Sequence, residues 1–430
     1  MSPAAAHPPY HPRDPIGWTA AVALAFFALC LVRLTIPSKP FFDEVHYLPA
    51  ARAILTLSHP ANPEHPPLGK ELLALGIALF GDRPLGWRIM PVLFGTLGLF
   101  AAMRAMWFAS ASRFATLAFG LLLATSPLLF IHARIAMLDV FMVSFVLVAL
   151  WMAAAAVREP ETARWRLAVT GVALGFAMAA KWNAIPVAAL PGLAFLALRA
   201  RSAGWSFLTA SRGAPIPGMS LIEAGLWLGL VPLVGYAACY WPNLLYAERA
   251  IAPTGLIEWH RHMLELQAQV VAPHTYMSQW YHWLGNWRAI WYLYEVVDGA
   301  QRGVLLVGNP LTMLIGLPAM AWCAWAGVTR RRWDALAVFA LYAVSFGMWI
   351  VAPKPVQFYY HYFLPSCFLM AGLALALDAL WRRGGRWRWA PLSVLAVACA
   401  LFAYFWPIYT AAPLDAGADF LRYTWLESWR

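Results

Sequence analysis

Asp43 and Glu44 stand side by side in PFFDEVHYLPAARAIL, residues 40–55, directly after the first long apolar run of the chain. A carboxylate at such a boundary loses solvation, so its presence asks for a use as base, ligand or helix cap. Asp43 and Glu44 are the candidate catalytic pair. A carboxylate beside a hydroxyl takes its proton as a new bond forms. Asp43 is read as that base, and Glu44 as the residue that orients the loop or binds acceptor backbone. The plainer reading is that Asp43 caps the helical turn that follows it.

Cations recur at the same depth. Arg88, Arg134, Lys181, Lys354 and His361 all fall near one boundary of the apolar runs, and such groups hold phosphate where water is partly excluded. Arg134 precedes Asp139 by five residues, so those two can instead form a structural ion pair. Lys354 and His361 lie in VAPKPVQFYYHYFLP, residues 351–365, where boundary anchoring by Lys and Tyr competes with phosphate binding. His46, His65 and Lys70, with Trp280 and Trp283, are candidates for binding an acceptor or a sugar. Trp280, Trp283, Trp287 and Trp291 recur every three or four residues, which puts four indoles on one face of an expected helix. That face reads either as an interfacial belt or as the wall of a sugar cleft. Asp43, Glu44, His46 and His65 offer ligands to a divalent ion, but they are not spaced as an HxxxH or HExxH array. No obligatory metal or other cofactor is expected. The five cysteines lie inside apolar runs without metal-type spacing.

These side chains need elements to hold them, and composition says which. The 430 residues are 62% hydrophobic and only 12% charged, half the charge of soluble domains. Apolar runs near the ~20 residues that cross a bilayer as helix occupy 15–32, 114–133, 140–157, 224–247, 303–329, 335–353, 355–377 and 389–414. Less clean runs at 85–108, 166–180 and 182–199, the last two split by Lys181, bring the expected count to about eleven spans. The expected fold is an all-α polytopic membrane protein, with residues 1–14 a disordered Pro-rich leader, 15–414 one membrane domain and 415–430 a tail. The first run carries no small-residue cleavage pattern behind it and is read as a retained anchor. Pro66 and Pro67 suit the first turn of a helix running to Phe80 and stopping at Gly81, an interfacial helix of the first long loop.

Placing the N-terminus inside puts 16 of the 31 basic residues but only six of the 20 acids on the inner segments. This positive-inside bias sets the orientation and explains the net charge of +11 without nucleic acid. The long loops 34–84 and 248–302, the first and fourth on the outer side, then carry Asp43 and the indoles; long loops in compact proteins are usually functional. Nucleotide sugars and ATP are scarce on that side, so a group transfer there needs a donor carried through the membrane on a lipid.

The segments FDEVHYLPAA, HPPLGKELLALGIALFG, GWRIMPVLFGTLGL, RIAMLDVFMVSFVL, GVALGFAMAAKWNAIP, WHRHM followed by HTYMSQWYHWL, LLVGNP and FYYHYFLP occur in that order. Together they closely resemble the protein O-mannosyltransferase family, whose members have the GT-C glycosyltransferase fold. The resemblance runs from about residue 38 to about residue 380. It implies an inverting transfer of a hexose, typically mannose, from a polyprenyl phosphate to a hydroxyl, typically of protein Ser or Thr. It also implies that the Asp of the Asp-Glu motif, here Asp43, is the base. The loop 248–302 is too short for the β-trefoil domain of eukaryotic members, so the chain resembles the compact bacterial type and is expected in an inner membrane with its site facing the periplasm. A lipid A or glycan glycosyltransferase of the same fold is the alternative. A transporter of lipid-linked sugar fits less well, because the carboxylates lie at the boundary rather than mid-span.

Overall fold

The computed structural model describes residues 13–269, 273–352, 354, 356–415 and 418–430. All but the last two residues of the expected leader 1–14 fall outside the described residues. Among those described, eight helical segments are long and apolar enough to cross a membrane: Pro84–Ser110, Asp139–Arg158, Trp182–Ser206, Leu221–Ala238, Pro310–Thr329, Trp333–Val351, Tyr359–Arg383 and Gly385–Tyr409. This is an integral membrane protein.

The other three expected spans are helical but depart from that pattern. Helix α1 (Ile16–Leu31) has 16 residues. After α2 (Glu44–Thr56), α3 (Leu68–Phe80) and α4 (Pro84–Ser110), the run 114–133 divides into α5 (Arg113–Ala124) and α6 (Pro127–His132). Pro127 cannot continue a helix from its N-terminal side, so the chain restarts there. Following α7 (Asp139–Arg158), the run 166–180 is α8 (Ala163–Ala180), which carries Arg164 and Arg166 in its first turn. Helix α3 has the expected limits, with Pro67 at its start and Gly81 at φ 83° closing it.

One element was not expected. Residues 290–306 form an antiparallel hairpin, β1 (Ile290–Val297) and β2 (Ala300–Leu306), paired from Ile290 opposite Leu306 to Val297 opposite Ala300. The expected tryptophan helix is therefore cut short. Helical structure covers only Trp280–Leu284, Trp287 lies in the connection and Trp291 is on a strand. The physical reason is local: IWYLYEVV is rich in β-branched and aromatic residues. Asp298 and Gly299, at φ 50° and 73°, then supply the left-handed pair that a two-residue hairpin turn demands.

The helix Tyr359–Arg383 is the most enclosed span, while Leu221–Ala238 keeps most of its surface outward. Helices α4 and α7 pack closely through glycines. A Cβ on Gly95 would stand 3.5 Å from Val140 Cγ2, and one on Gly98 would stand 2.7 Å from Ser144 Oγ. At one end of the bundle the two long loops meet. Ser38 and Lys39 bond to Asp298 and Glu295 of the hairpin. The amides of Ala247 and Glu248 donate to the carbonyls of Leu57 and Ser58. The tail is not free: Trp429 is buried, its indole donates to Asn286 O, and its carbonyl accepts from the indole of Trp291.

Candidate active site

Asp43 sits at the start of α2 in helical conformation, and its side chain makes no cap bond. The helix-cap reading does not describe it. Among the described residues its carboxylate has no hydrogen-bond or ion-pair partner. Lost solvation pushes that carboxyl up to about 6, opposed first by the charge of Lys181. Asp139, His46 and Lys354 also act on it at short range.

Glu44 turns the other way. Its two oxygens accept from Arg88 Nε and Nη2, both at 2.8 Å, and also from the amides of Ala136 at 3.0 Å and Phe41 at 3.2 Å. Arg88 gives its remaining N–H groups to the carbonyls of Leu34, Pro37 and Lys39. Both residues are fully buried. The fork of Arg88 is thus saturated within the protein, and the structure removes it from the expected set of phosphate ligands. It is the clamp that holds loop 34–44 against α4.

Lys181 and Lys354 do face Asp43. Helix α8 ends at Lys181, whose extended backbone lets Nζ reach both carboxylate oxygens of Asp139 at 2.9 and 2.8 Å. Asp139 therefore pairs with Lys181 rather than with Arg134. Arg134 instead donates to Cys30 O and lies over the Phe130 ring, against the end of α1 and away from the Asp43 cluster. Lys354 is half-buried, and desolvation brings its ammonium down to about 8. His361 Nδ1 accepts from the Phe358 amide at 3.0 Å, which leaves its proton on Nε2, and its ring stacks on Trp349 at 4.1 Å.

The other expected residues divide. His65 packs edge-on against Tyr47, and burial plus the nearby Lys181 keep it neutral, well below the usual histidine range. His46 is exposed at the same opening. Lys70 is spent on the first loop: its Nζ donates to Asn62 O at 2.7 Å, His65 O at 2.8 Å and Ala61 O at 3.4 Å. Trp283 is fully buried among Phe346, Trp349, His361 and Tyr362, so it is core and no wall of an open cleft. Trp280 is half-buried against Phe346. Among the described residues no three His, Cys, Asp or Glu side chains gather as metal ligands, and Glu44 is turned away from the histidines.

Two residues of the site have no place in the sequence pattern: Tyr360 places its ring 5.2 Å from Lys181 Nζ, and Tyr292 of β1 couples to both Asp43 and Asp139. A signal existed for the last: the Asp298-Gly299 dipeptide after an aromatic run announces the hairpin that carries Tyr292 to the site.

A family model described as dolichyl-phosphate-mannose-protein mannosyltransferase matches residues 64–210, and one for the C-terminal four TMM region of protein-O-mannosyltransferase matches residues 253–429. The chain belongs to the protein O-mannosyltransferase family. A relative from Mycolicibacterium smegmatis, a polyprenol-phosphate-mannose–protein mannosyltransferase, is 29% identical over 96% of this chain and 92% of its own. Among solved structures, the S. cerevisiae protein O-mannosyltransferase Pmt1-Pmt2 complex bound to the sugar donor aligns with a TM-score of 0.80 at 13% identity, covering 97% of this chain and 93% of its own. ArnT from Cupriavidus metallidurans bound to undecaprenyl phosphate aligns at 0.60 with 15% identity, covering 95% and 79%. These two likenesses establish the GT-C fold. As a protein O-mannosyltransferase family member the chain is a membrane glycosyltransferase.

Proposed function

We propose that the chain transfers mannose from a polyprenyl-phosphate carrier to a Ser or Thr hydroxyl of a protein, with inversion, on the periplasmic face of a bacterial inner membrane. One observation carries the reading: the unpartnered Asp43 carboxylate faces Lys181 and Lys354 at the mouth of a membrane bundle. The acceptor oxygen attacks the anomeric carbon, Asp43 takes the hydroxyl proton, and the bond from that carbon to the phosphate oxygen breaks. The electron pair leaves on the polyprenyl phosphate, whose charge Lys354 and the Nε2–H of His361 offset, Lys181 being held by Asp139. These groups supply the charge, so no metal is required in the step.

An apolar cleft of about 550 Å³ lined by Leu147, Leu150, Pro191, Val338, Leu341 and Phe368 supports a lipid donor. It lies further along α7 and the helix Tyr359–Arg383, and nearer the start of the helix Trp333–Val351, than the smaller hollow at Asp139 and His361. The relatives' names supply mannose and protein as donor sugar and acceptor. The arginine distribution supports the periplasmic placement.

The test is incubation of purified protein with polyprenyl-phosphate mannose and a Ser/Thr peptide, followed by weighing the peptide. A gain of one hexose is expected. Hexose appearing only on an added glycolipid acceptor would move the reading to the lipid-directed class, and no consumption of donor would overturn it.

A further inference from the structure

Phe42, the residue before Asp43, has φ 50°. That is the left-handed region, where a bulky side chain is an outlier that the surroundings must enforce. The enforcing contact comes from far away in sequence. The Tyr292 ring of β1 stacks on Phe42 with centroids 4.0 Å apart and planes 17° apart. Tyr360 meets the other partner edge-on at 6.0 Å. Tyr292 is itself held. His132 Nδ1 donates to Leu128 O, so its Nε2 accepts from the Tyr292 hydroxyl at 3.1 Å, and the imidazole stacks on Phe363 at 4.7 Å.

We propose that Tyr292 is a positioning residue for Asp43: its ring, stacked on Phe42, holds the strained backbone that aims the carboxylate and keeps water from it. This rests on the reading of Asp43 as the base. The hairpin thereby has a role beyond closing the loop. It delivers one aromatic face to the residue whose conformation sets the direction of the next side chain. The groups facing Asp43 are Lys181, Asp139, His46 and Lys354, with the Tyr47, Tyr292 and Tyr360 rings; none is a hydrogen-bond partner. The Tyr47, Tyr292 and Tyr360 rings are part of the burial that raises the carboxyl.

Two readouts test the proposal. Dicyclohexylcarbodiimide labels protonated carboxyls, and peptide mass spectrometry follows the pH midpoint of Asp43 labelling without any substrate. In Tyr292→Leu the midpoint is expected to fall by about one unit toward the ordinary carboxylate value. Phe42→Gly removes the ring yet accepts the left-handed backbone, so it folds and gives the same shift. Tyr292→Phe keeps the ring and holds the native midpoint. In the transfer assay, Tyr292→Leu lowers kcat about tenfold to a hundredfold, the scale of small misplacement, with KM for polyprenyl-phosphate mannose within about twofold of native. Unchanged midpoints in both Tyr292→Leu and Phe42→Gly overturn the proposal. So does an equal shift in Tyr292→Phe, because the ring would then not be the cause. A native protein inactive in transfer would overturn the function proposed above, while the labelling midpoints still decide the role of Tyr292.

Discussion

Glu44 and Arg88 form a two-point ion pair, both contacts 2.8 Å, with neither side chain exposed. The neighbouring carboxylate, Asp43, has no such partner. Two adjacent acids thus divide their work by direction. One is consumed in holding the loop, and the other remains available to a hydroxyl.

Removing one member of that pair strands a buried charge, which costs about 3–5 kcal/mol. Arg88→Ala is expected to lower thermal stability in detergent sharply and to lose activity with it. Arg88→Lys should restore little, since an ammonium cannot reproduce the fork. A stable Arg88→Ala protein impaired only in donor use would return this residue to the phosphate site.

Asp43→Asn keeps the shape of the side chain and removes the base. Turnover should fall by about two to four orders of magnitude, the scale of losing a general base, while melting temperature and donor binding stay near native. Transfer at the native rate would end the catalytic reading of Asp43.

The pH profile should be bell-shaped. As pH falls through about 6, Asp43 gains a proton and can no longer accept one, so the rate drops on the acid side. As pH rises through about 8, Lys354 loses its charge and its hold on phosphate, so the rate drops on the alkaline side. Lys354→Arg stays charged, and the alkaline limb should move upward. A limb that does not move excludes Lys354 from the phosphate site.

Asp139 and Lys181 act on Asp43 with opposite signs. Asp139→Asn removes a negative neighbour, so the acid limb should move to lower pH. Lys181→Met removes a positive neighbour and should move it to higher pH. Shifts in the same direction for the two variants would show that neither charge is felt at Asp43.

Exhaustive dialysis against EDTA is expected to leave transfer at the native rate, because lysine and histidine supply the charge. Complete loss restored by one divalent ion would show that a metal takes part.

Much of this was legible from residue order. Spans are long because the bilayer is thick, and helix α3 is bounded by Pro67 and Gly81 for backbone reasons that act within a few residues. Asp43 was visible as an expensive carboxylate at a boundary. Local rules also held the hairpin, in the Asp298-Gly299 turn, although the spacing of the indoles masked it. Charge pairing was a different matter. Arg88, Arg134, Lys181 and Lys354 look alike in one dimension, each a cation at the same depth. Which of them meets phosphate depends on which carboxylate or carbonyl lies within 3 Å, and those partners sit across the bundle: Glu44 for Arg88, Cys30 for Arg134, Asp139 for Lys181. A buried charge takes the nearest compensating partner in space, and distance in space becomes defined only once the helices have packed.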